Sequence, residues 1–430
     1  MFPTRRITTM GGDVFRDEFS LAFDGSNDYV NCGSDSSLDV GTSEFSVSIW
    51  FKRTVADDRM TMVAKGNSFT SSPYDNDGWA LGVFNTNNYL YFDIHAGSGG
   101  SSIKKSAIYS VALDANRWYH VVATRTTNGA NSVYSLYVDG VRKNFVTAVD
   151  GGADDLLAAD GTISDANNDF TIGRESGGSE YFTGNISDVA YYNKGLTKSE
   201  VKTLYNGREP YNHKEGVCSG NLQAWWRMGD GNANNRRFQY VENSASSAGS
   251  KLIMSSTFGS DEDGWLDYSS GTVARSTDIS SHSGGAGVLK CTTDTTSQWL
   301  GKTANITSGM ESGKIYIAEG YVYIPSSWSG TRDIYIYSAD QFGDATTNIG
   351  EHDYNIAQHG TKDEWQRIFY TFLCQEDSGS GAIYLRAAGG DNLENGDFVY
   401  LDDFKITEID KLNSGLMLNM EPGHFEGDTP

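Results

Sequence analysis

In "FSVSIWFKR" the apolar Phe45, Val47, Ile49 and Phe51 alternate with Ser46, Ser48, Trp50 and Lys52. A two-residue period of this kind belongs to a strand that lays one face on a core. "RWYHVVATR" and "VYSLYVDGVRKNFV" continue it, and the Asp139-Gly140 pair between two apolar runs is a hairpin signal that needs positive φ. Gly, Ser, Asn and Asp crowd the gaps between such runs. The pattern predicts short antiparallel strands packed as sandwiches or barrels, an all-β fold. One segment departs from it. In "LTKSEVKTLYNGREP", Thr197 can cap a first turn, Glu200 can complete a capping box, Gly207 suits a left-handed terminus and Pro210 stops the helix.

The stretches "LAFDGSNDYVNCG", "EFSVSIWFKR", "RWYHVVATR", "LYVDGV" and "FTGNISDVAYYNKGLTKSEVKTLYNG" come in the order seen in laminin G-like, concanavalin A-type sandwiches. The resemblance covers Phe19 to Arg208 and implies a sandwich whose last strand leads into a short helix. From Lys251 to Asp410, "STFGSDEDGW", "SGKIYIAEGYVYIP", "DEWQRIFYTFLC" and "DFVYLDDFKITEI" resemble jelly-roll carbohydrate-binding modules. The expected architecture is therefore two antiparallel β-sandwiches, a concanavalin A-like jelly roll and a carbohydrate-binding-module-like jelly roll, with one short helix and an amino-terminal arm over residues 1–18.

Between them, over residues 209–250, lies a linker with an apolar strand, "LQAWWRM". Leu222, Ala224, Trp226 and Met228 share one strand face, and Gln223, Trp225 and Arg227 share the other, so each tryptophan serves a different surface. "AWWRMGDG" resembles the opening of a further laminin G-like unit whose continuation, "SGLMLNMEPGHFEGDTP", is found at residues 411–430. The jelly roll then reads as an insertion, with 411–430 pairing with 221–229. Either fragment alone is too short to fold, and an isolated hairpin is marginal in water. Two independent tails are the alternative.

The chain has 430 residues, enough for more than one core. Lys plus Arg number 33 against 56 Asp plus Glu, a formal charge of −23, which repels phosphate backbones and argues against nucleic-acid binding. Cys32, Cys218, Cys291 and Cys374 lack the spacing of a zinc or redox motif, so free buried thiols are expected. "MFPTRRITTMGGDVFRDEF" has no apolar run of secretory length, and no later segment is long and apolar enough for a membrane span. The expectation is synthesis in a cytoplasm without export through a cleaved signal.

Glycoside cleavage needs two carboxylates across the scissile bond, and the glucanases resembling the first domain carry them as Glu-x-Asp-x-x-Glu. No such triplet occurs. Glu408-Ile409-Asp410 is the nearest approach, in the other domain, and His120, His352 and His359 show no nucleophile or metal spacing. No catalytic residue is assigned.

In "FVYLDDFKI", Asp402 shares a strand face with Phe398, Tyr400, Phe404 and Ile406, where an unpaired carboxylate would be costly. Modules of the type resembled use this aspartate as a ligand for structural calcium. Asp261, Glu262 and Asp263, near the first strand, are candidate oxygen donors beside it. Gly259, next to Phe258, stands where the family usually has an acidic residue, so a buried salt bridge or a solvated edge remains open for Asp402. Asp24, Asp28 and Asp188 lie where some laminin G-like relatives bind calcium, though Asp24-Gly25 and Asn27-Asp28 are also ordinary turn chemistry.

In "GYVYIP" and "DIYIYSAD", Tyr321, Tyr323, Tyr335 and Tyr337 share strand parity, with Val322, Ile324, Ile334 and Ile336 directed inward. They form a candidate aromatic ladder for a polysaccharide, closed at one end by Trp328 of "PSSWSG". The alternative is a face packed on the other domain or a neighbouring subunit.

Two glycan-type sandwiches without a catalytic pair or export signal, together with "MFPTRRITT" and "WWRMGDG", resemble virion proteins of tailed bacteriophages. This implies a capsid decoration or fibre-like appendage displaying carbohydrate-binding domains towards a cell-surface glycan. Arg5 and Arg6 would anchor it to other virion proteins, and a symmetric homo-oligomer is expected. A purely architectural decoration protein, or an extracellular bacterial polysaccharide-binding adhesin, are the competing readings.

Overall fold

The computed structural model describes residues 15, 17–55, 59–66, 78–84, 89–96, 103–109, 113–128, 131–149, 156–157, 162–163, 165, 168–175, 178, 180–230, 240–241, 243–245, 250–293, 298–306, 309–311, 314–331, 333–339, 357–374, 381–387, 394–409, 414–418, 420 and 424–430. Arg5, Arg6, His352 and Asp410 lie outside them.

Among these residues the strands make four antiparallel sheets, two per sandwich. The first sheet runs in the order Val141–Lys143, Asn131–Val138, Tyr119–Asn128, Phe45–Arg53, Thr183–Tyr192, Ser20–Asp24 and Phe425–Glu426. Facing it, the second ends in Met60–Lys65, Phe170–Ile172, Tyr29–Asn31, Gly415–Leu418 and Tyr240–Val241. Phe45, Val47, Ile49 and Phe51 all point into the core between the two. Asp139 and Gly140 take φ of 51° and 72°, the paired left-handed values that a two-residue hairpin demands.

The alternation in Phe45–Arg53 does not leave its second face wet. Ser48 Oγ lies 2.8 Å from His120 Nε2, and Trp50 stacks on Tyr205 with ring centroids 6.0 Å apart. Tyr205 ends the helix Lys198–Tyr205, whose Thr197 and Glu200 form the capping box and whose chain turns left-handed at Asn206 and Gly207. The helix covers that face.

The strand Leu222–Trp226 adds to this sandwich by pairing with Thr183–Tyr192. Trp226 enters the main core, and Trp225 the smaller core under the helix. Leu222 departs from its expected side: a bulge between Tyr191 and Tyr192 shifts the register and places it with Trp225. The same bulged edge gathers a buried acidic group. Asp17 accepts from Ser187 Oγ at 2.8 Å and lies 3.9 Å from Arg227. Asp230 accepts from the backbone N–H groups of Glu18 and Phe19, each at 2.9 Å. Asp188 accepts from Trp225 Nε1 and pairs with His213 at 3.1 Å.

Among the described residues the expected strand pairing of 221–229 with 411–430 does not form. Gly415–Leu418 instead lies between Tyr29–Asn31 and Tyr240–Val241, and Phe425–Glu426 pairs with Ser20–Asp24. The physical reason is edge satisfaction: a separate hairpin would leave two open edges, whereas joining the sandwich extends both of its sheets. The strands flanking the jelly roll in sequence are thus direct partners, Tyr240 opposite Leu416 and Val241 opposite Gly415. The jelly roll is inserted into the first sandwich at this point.

The jelly roll has a six-stranded sheet, ordered Thr272–Ser276, Val288–Thr292, Phe398–Ile409, Ile315–Tyr323 and Trp365–Leu373, with Ser250–Ser256 also on Phe398–Ile409. Its four-stranded partner runs Trp265–Leu266, Trp299–Thr303, Ala382–Ala387 and Ile334–Ala339. One end of the outer face of the larger sheet is apolar and docks on the first sandwich: Ile315, Ile317, Phe369 and Ile409 pack with Tyr240 and Leu416. This contact leaves the outer face of the smaller sheet on the far side. The cysteines are unbridged, and Cys32, Cys291 and Cys374 are buried.

Candidate functional site

Alternation builds the outer face of the four-stranded sheet. Ile383, Leu385, Ile334 and Ile336 point into the jelly-roll core, so Tyr384, Arg386, Tyr335 and Tyr337 point out. Register then sets them in two cross-strand rows: Trp299, Arg386 and Tyr335 in one, Lys302, Tyr384 and Tyr337 in the other. The rings are in contact, Trp299 lying tilted 5.2 Å from Tyr384 and edge to face 5.6 Å from Tyr337 by centroid. Tyr268 extends the patch, 4.8 Å from Tyr384.

Arg386 sits among these rings, its guanidinium 4.7 Å from the Trp299 centroid and 5.7 Å from Tyr337. Its Nη2 donates to Gln298 Oε1 at 2.7 Å, while its Nε is buried without a hydrogen-bond partner among the described residues. Lys302 lies 5.4 Å over the Tyr268 ring. Neither cation pairs with a carboxylate among the described residues.

The outer face of the six-stranded sheet is built differently. Beyond its docked apolar end lies a cleft of about 400 Å³ lined by Ser255, Thr257, His282, Glu319, Tyr321, Asp403 and Lys405. Here the charges are matched: Glu319 pairs with Arg367 at 2.6 Å and Lys405 at 2.9 Å, and His282 with Asp403 at 2.7 Å. Burial pushes the Glu319 carboxyl up, but hydrogen bonds from Lys405 and Arg367 outweigh it and hold it below the ordinary range. The His282 ring covers Tyr321, stacked 3.5 Å away, and Tyr323 packs against Trp365 at 5.6 Å.

The tyrosine ladder expected on one face is therefore split. Tyr321 and Tyr323 belong to the six-stranded sheet, Tyr335 and Tyr337 to the four-stranded one, because the successive strands lie in opposite layers. Parity fixed inward and outward correctly, but both sets point outward on opposite sides. Trp328 does not close a groove: it is 4 % exposed and packs in the jelly-roll core. Trp299, Tyr384, Arg386, Lys302 and Tyr268 were not singled out from the sequence, although "SQWLGKT" and "AIYLRAA" carry the alternation that directs them outward.

Asp402, Asp261 and Asp263 are not gathered into a calcium site. Asp402 is buried as expected, but its Oδ2 accepts from His282 N at 2.7 Å and its Oδ1 from Asp403 N at 2.8 Å. Burial raises its carboxyl pKa, and these N–H donors pull in the opposite direction. Asp263 Oδ2 accepts from Thr257 N and Phe258 N, and Asp261 Oδ1 from Asp263 N, so both serve a turn. Among the described residues no group of three or more His, Cys, Asp or Glu side chains is placed to hold a metal ion. Asp24 and Asp28 likewise bond backbone N–H groups of their own turn. Glu408 is held by Lys314 at 2.6 Å, an ion pair inside the fold.

Comparison with known proteins follows this division. Residues 24–202 match the family described as "Concanavalin A-like lectin/glucanases superfamily", and residues 250–391 match "Carbohydrate binding domain". No curated protein matches the chain significantly. Among solved structures, the CBM22-1 xylan-binding domain from Paenibacillus barcinonensis is 15% identical, with 38% of this chain and 98% of that one covered and a TM-score of 0.30. A heptameric pentraxin from Limulus polyphemus is 18% identical, covering 46% and 87%, with a TM-score of 0.33. Tailspike protein 2 of an Escherichia coli O157:H7 bacteriophage is 12% identical, covering 51% and 31%, also at 0.33. Two separate segments of the chain are thus similar to these two families, and the second lies between the paired strands Tyr240–Val241 and Gly415–Leu418.

Proposed function

We propose that the protein is a non-enzymatic glycan-binding adhesion protein, and that the four-stranded face of the jelly roll holds the sugar. The observation that carries this reading is the patch of Tyr268, Trp299 and Tyr337, packed around the buried ring of Tyr384, on the sheet turned away from the first sandwich. Aromatic rings stack on the C–H faces of pyranoses while tyrosine hydroxyls and Gln298 reach sugar hydroxyls, which suits a shallow platform. The match of residues 250–391 to a carbohydrate-binding family supports the same reading.

Replacing Trp299 and Tyr337 together with alanine removes two stacking surfaces worth about 0.5–1.5 kcal/mol each beyond area burial. Retention on immobilised polysaccharide, measured by affinity electrophoresis, falls about tenfold or more, with unchanged circular dichroism. Tyr323→Ala, on the opposite face, leaves retention as it was. Equal loss from both variants would place the sugar elsewhere.

We assign this activity to the virion of a tailed bacteriophage, as a decoration or appendage anchored through the segment that carries Arg5 and Arg6, since Phe15, Asp17 and Glu18 are held in the first sandwich. Support comes from the pairing of two glycan-type sandwiches with no Glu-x-Asp-x-x-Glu triplet, and from the resemblance carried by "MFPTRRITT" and "WWRMGDG". Mass spectrometry of purified virions detects the protein at stoichiometric level if the assignment holds. Its absence from virions would leave the extracellular adhesin.

A further inference from the structure

We infer that the glycan held by the four-stranded face is acidic, a polysaccharide bearing carboxylates such as a uronate polymer. The inference rests on the glycan reading above and names its substrate class. Two cations stand in the aromatic rows, Arg386 between Trp299 and Tyr335 and Lys302 beside Tyr384. The whole chain carries −23, so carboxylates outnumber cations. On the opposite face of the same jelly roll Arg367 and Lys405 each have a carboxylate within 3 Å. Arg386 and Lys302 have none among the described residues.

The surroundings of Arg386 sharpen the point. Its guanidinium is partly desolvated by Trp299 and Tyr337, and one arm is oriented by Gln298 at 2.7 Å. A guanidinium fork held in one orientation matches the two oxygens of a carboxylate. Lys302, in the next cross-strand row and about 7 Å further along the sheet, offers a second point charge for the same chain. A neutral glycan would stack on the rings but leave both charges unanswered.

The test uses the full chain and affinity electrophoresis in polygalacturonate, alginate and hyaluronan, each beside its carboxyl-reduced neutral form. Retention is expected in at least one acidic polymer, to fall tenfold or more on carboxyl reduction, and to weaken with added salt. The R386Q/K302Q double variant loses the acidic retention to the same degree while its weak binding to the reduced polymer is unchanged. R386K recovers part of it. Equal retention on acidic and reduced polymers, lost only with Trp299→Ala, would overturn the acidic ligand and keep the glycan face. Retention on none of the acidic polymers would overturn it as well, and retention on neutral polysaccharides then decides whether the glycan reading survives.

Discussion

A chain ending at residue 410 loses the cooperative unfolding of its amino-terminal sandwich and keeps that of the jelly roll. The removed residues include a strand inside a sheet, Gly415–Leu418, hydrogen-bonded on one side to Tyr29–Asn31 and on the other to Tyr240–Val241. They also include Met417 and Met420, both fully buried in the main core beside Trp226 and Met228. Losing a buried methionine costs about 2–5 kcal/mol, so the pair alone rivals the roughly 5–15 kcal/mol by which a domain is stable. A point substitution reaches the same strand: a Cβ at Gly415 would lie 2.2 Å from Val30 Cγ1, so Gly415→Val forces the strand away. Calorimetry of the full and shortened chains reads both effects. A shortened chain with both transitions intact would make the terminal strand a dispensable edge.

Raising the pH from about 5 to about 9 destabilises the first sandwich, and Asp17→Asn removes most of that dependence. Burial first, then the neighbouring Asp188 and Asp230 carboxylates, push the Asp17 carboxyl up to about 9, even though Ser187 donates to it. An unfolded aspartate titrates near 4. In the window between, the folded state binds the extra proton, so stability falls as pH rises, by up to about 1.4 kcal/mol per pH unit for one fully coupled proton. The contribution is complete below about 4 and lost through about 9. Arg227, 3.9 Å from both Asp17 and Asp230, is the cation facing the cluster, and the His213 ring is hydrogen-bonded to Asp188. Denaturant midpoints at pH 5, 7 and 9 measure the slope. A slope equally steep in the Asp17→Asn variant would move the proton to another member of the group.

Local periodicity carried the strands of both sandwiches, the capped helix and the opposite duties of Trp225 and Trp226, because each depends on residues close in sequence. The errors arise where distant chain segments decide. Leu222 follows a bulge at Gln223, the residue skipped in the pairing of its strand with Tyr191 and Tyr192 of the distant Thr183–Tyr192. Tyr321 and Tyr335 have the same parity but lie in different layers, which alternation within a strand cannot distinguish. Trp328 sits in a polar stretch, "PSSWSG", yet packs with Ile324 and Ile334 in the core. Asp402 looked short of a counter-charge because its donor, the backbone of His282, lies 120 residues earlier. The platform of the four-stranded sheet was hidden for the same reason: Trp299, Tyr337 and Tyr384 come from three strands, and only register makes them one surface.

The insertion point governs how the jelly roll transmits force. A domain strung on a single linker swivels, and a pull on it peels its anchor one hydrogen bond at a time. Here the two tethers are the neighbouring strands Tyr240–Val241 and Gly415–Leu418, clipped where they leave the sheet by the bond from Asn243 N to Ser414 Oγ at 3.1 Å. Tension on the jelly roll draws both strands in the same direction and tries to slide Gly415–Leu418 along Tyr29–Asn31, loading that ladder in shear with its bonds sharing the stress. The packing of Ile317 and Phe369 beside Tyr240 and Leu416 resists rotation at the same place. Drag on the jelly roll thus enters the supporting sheet at its rim, through its two outermost strands, and the ladder to Tyr29–Asn31 carries it inward.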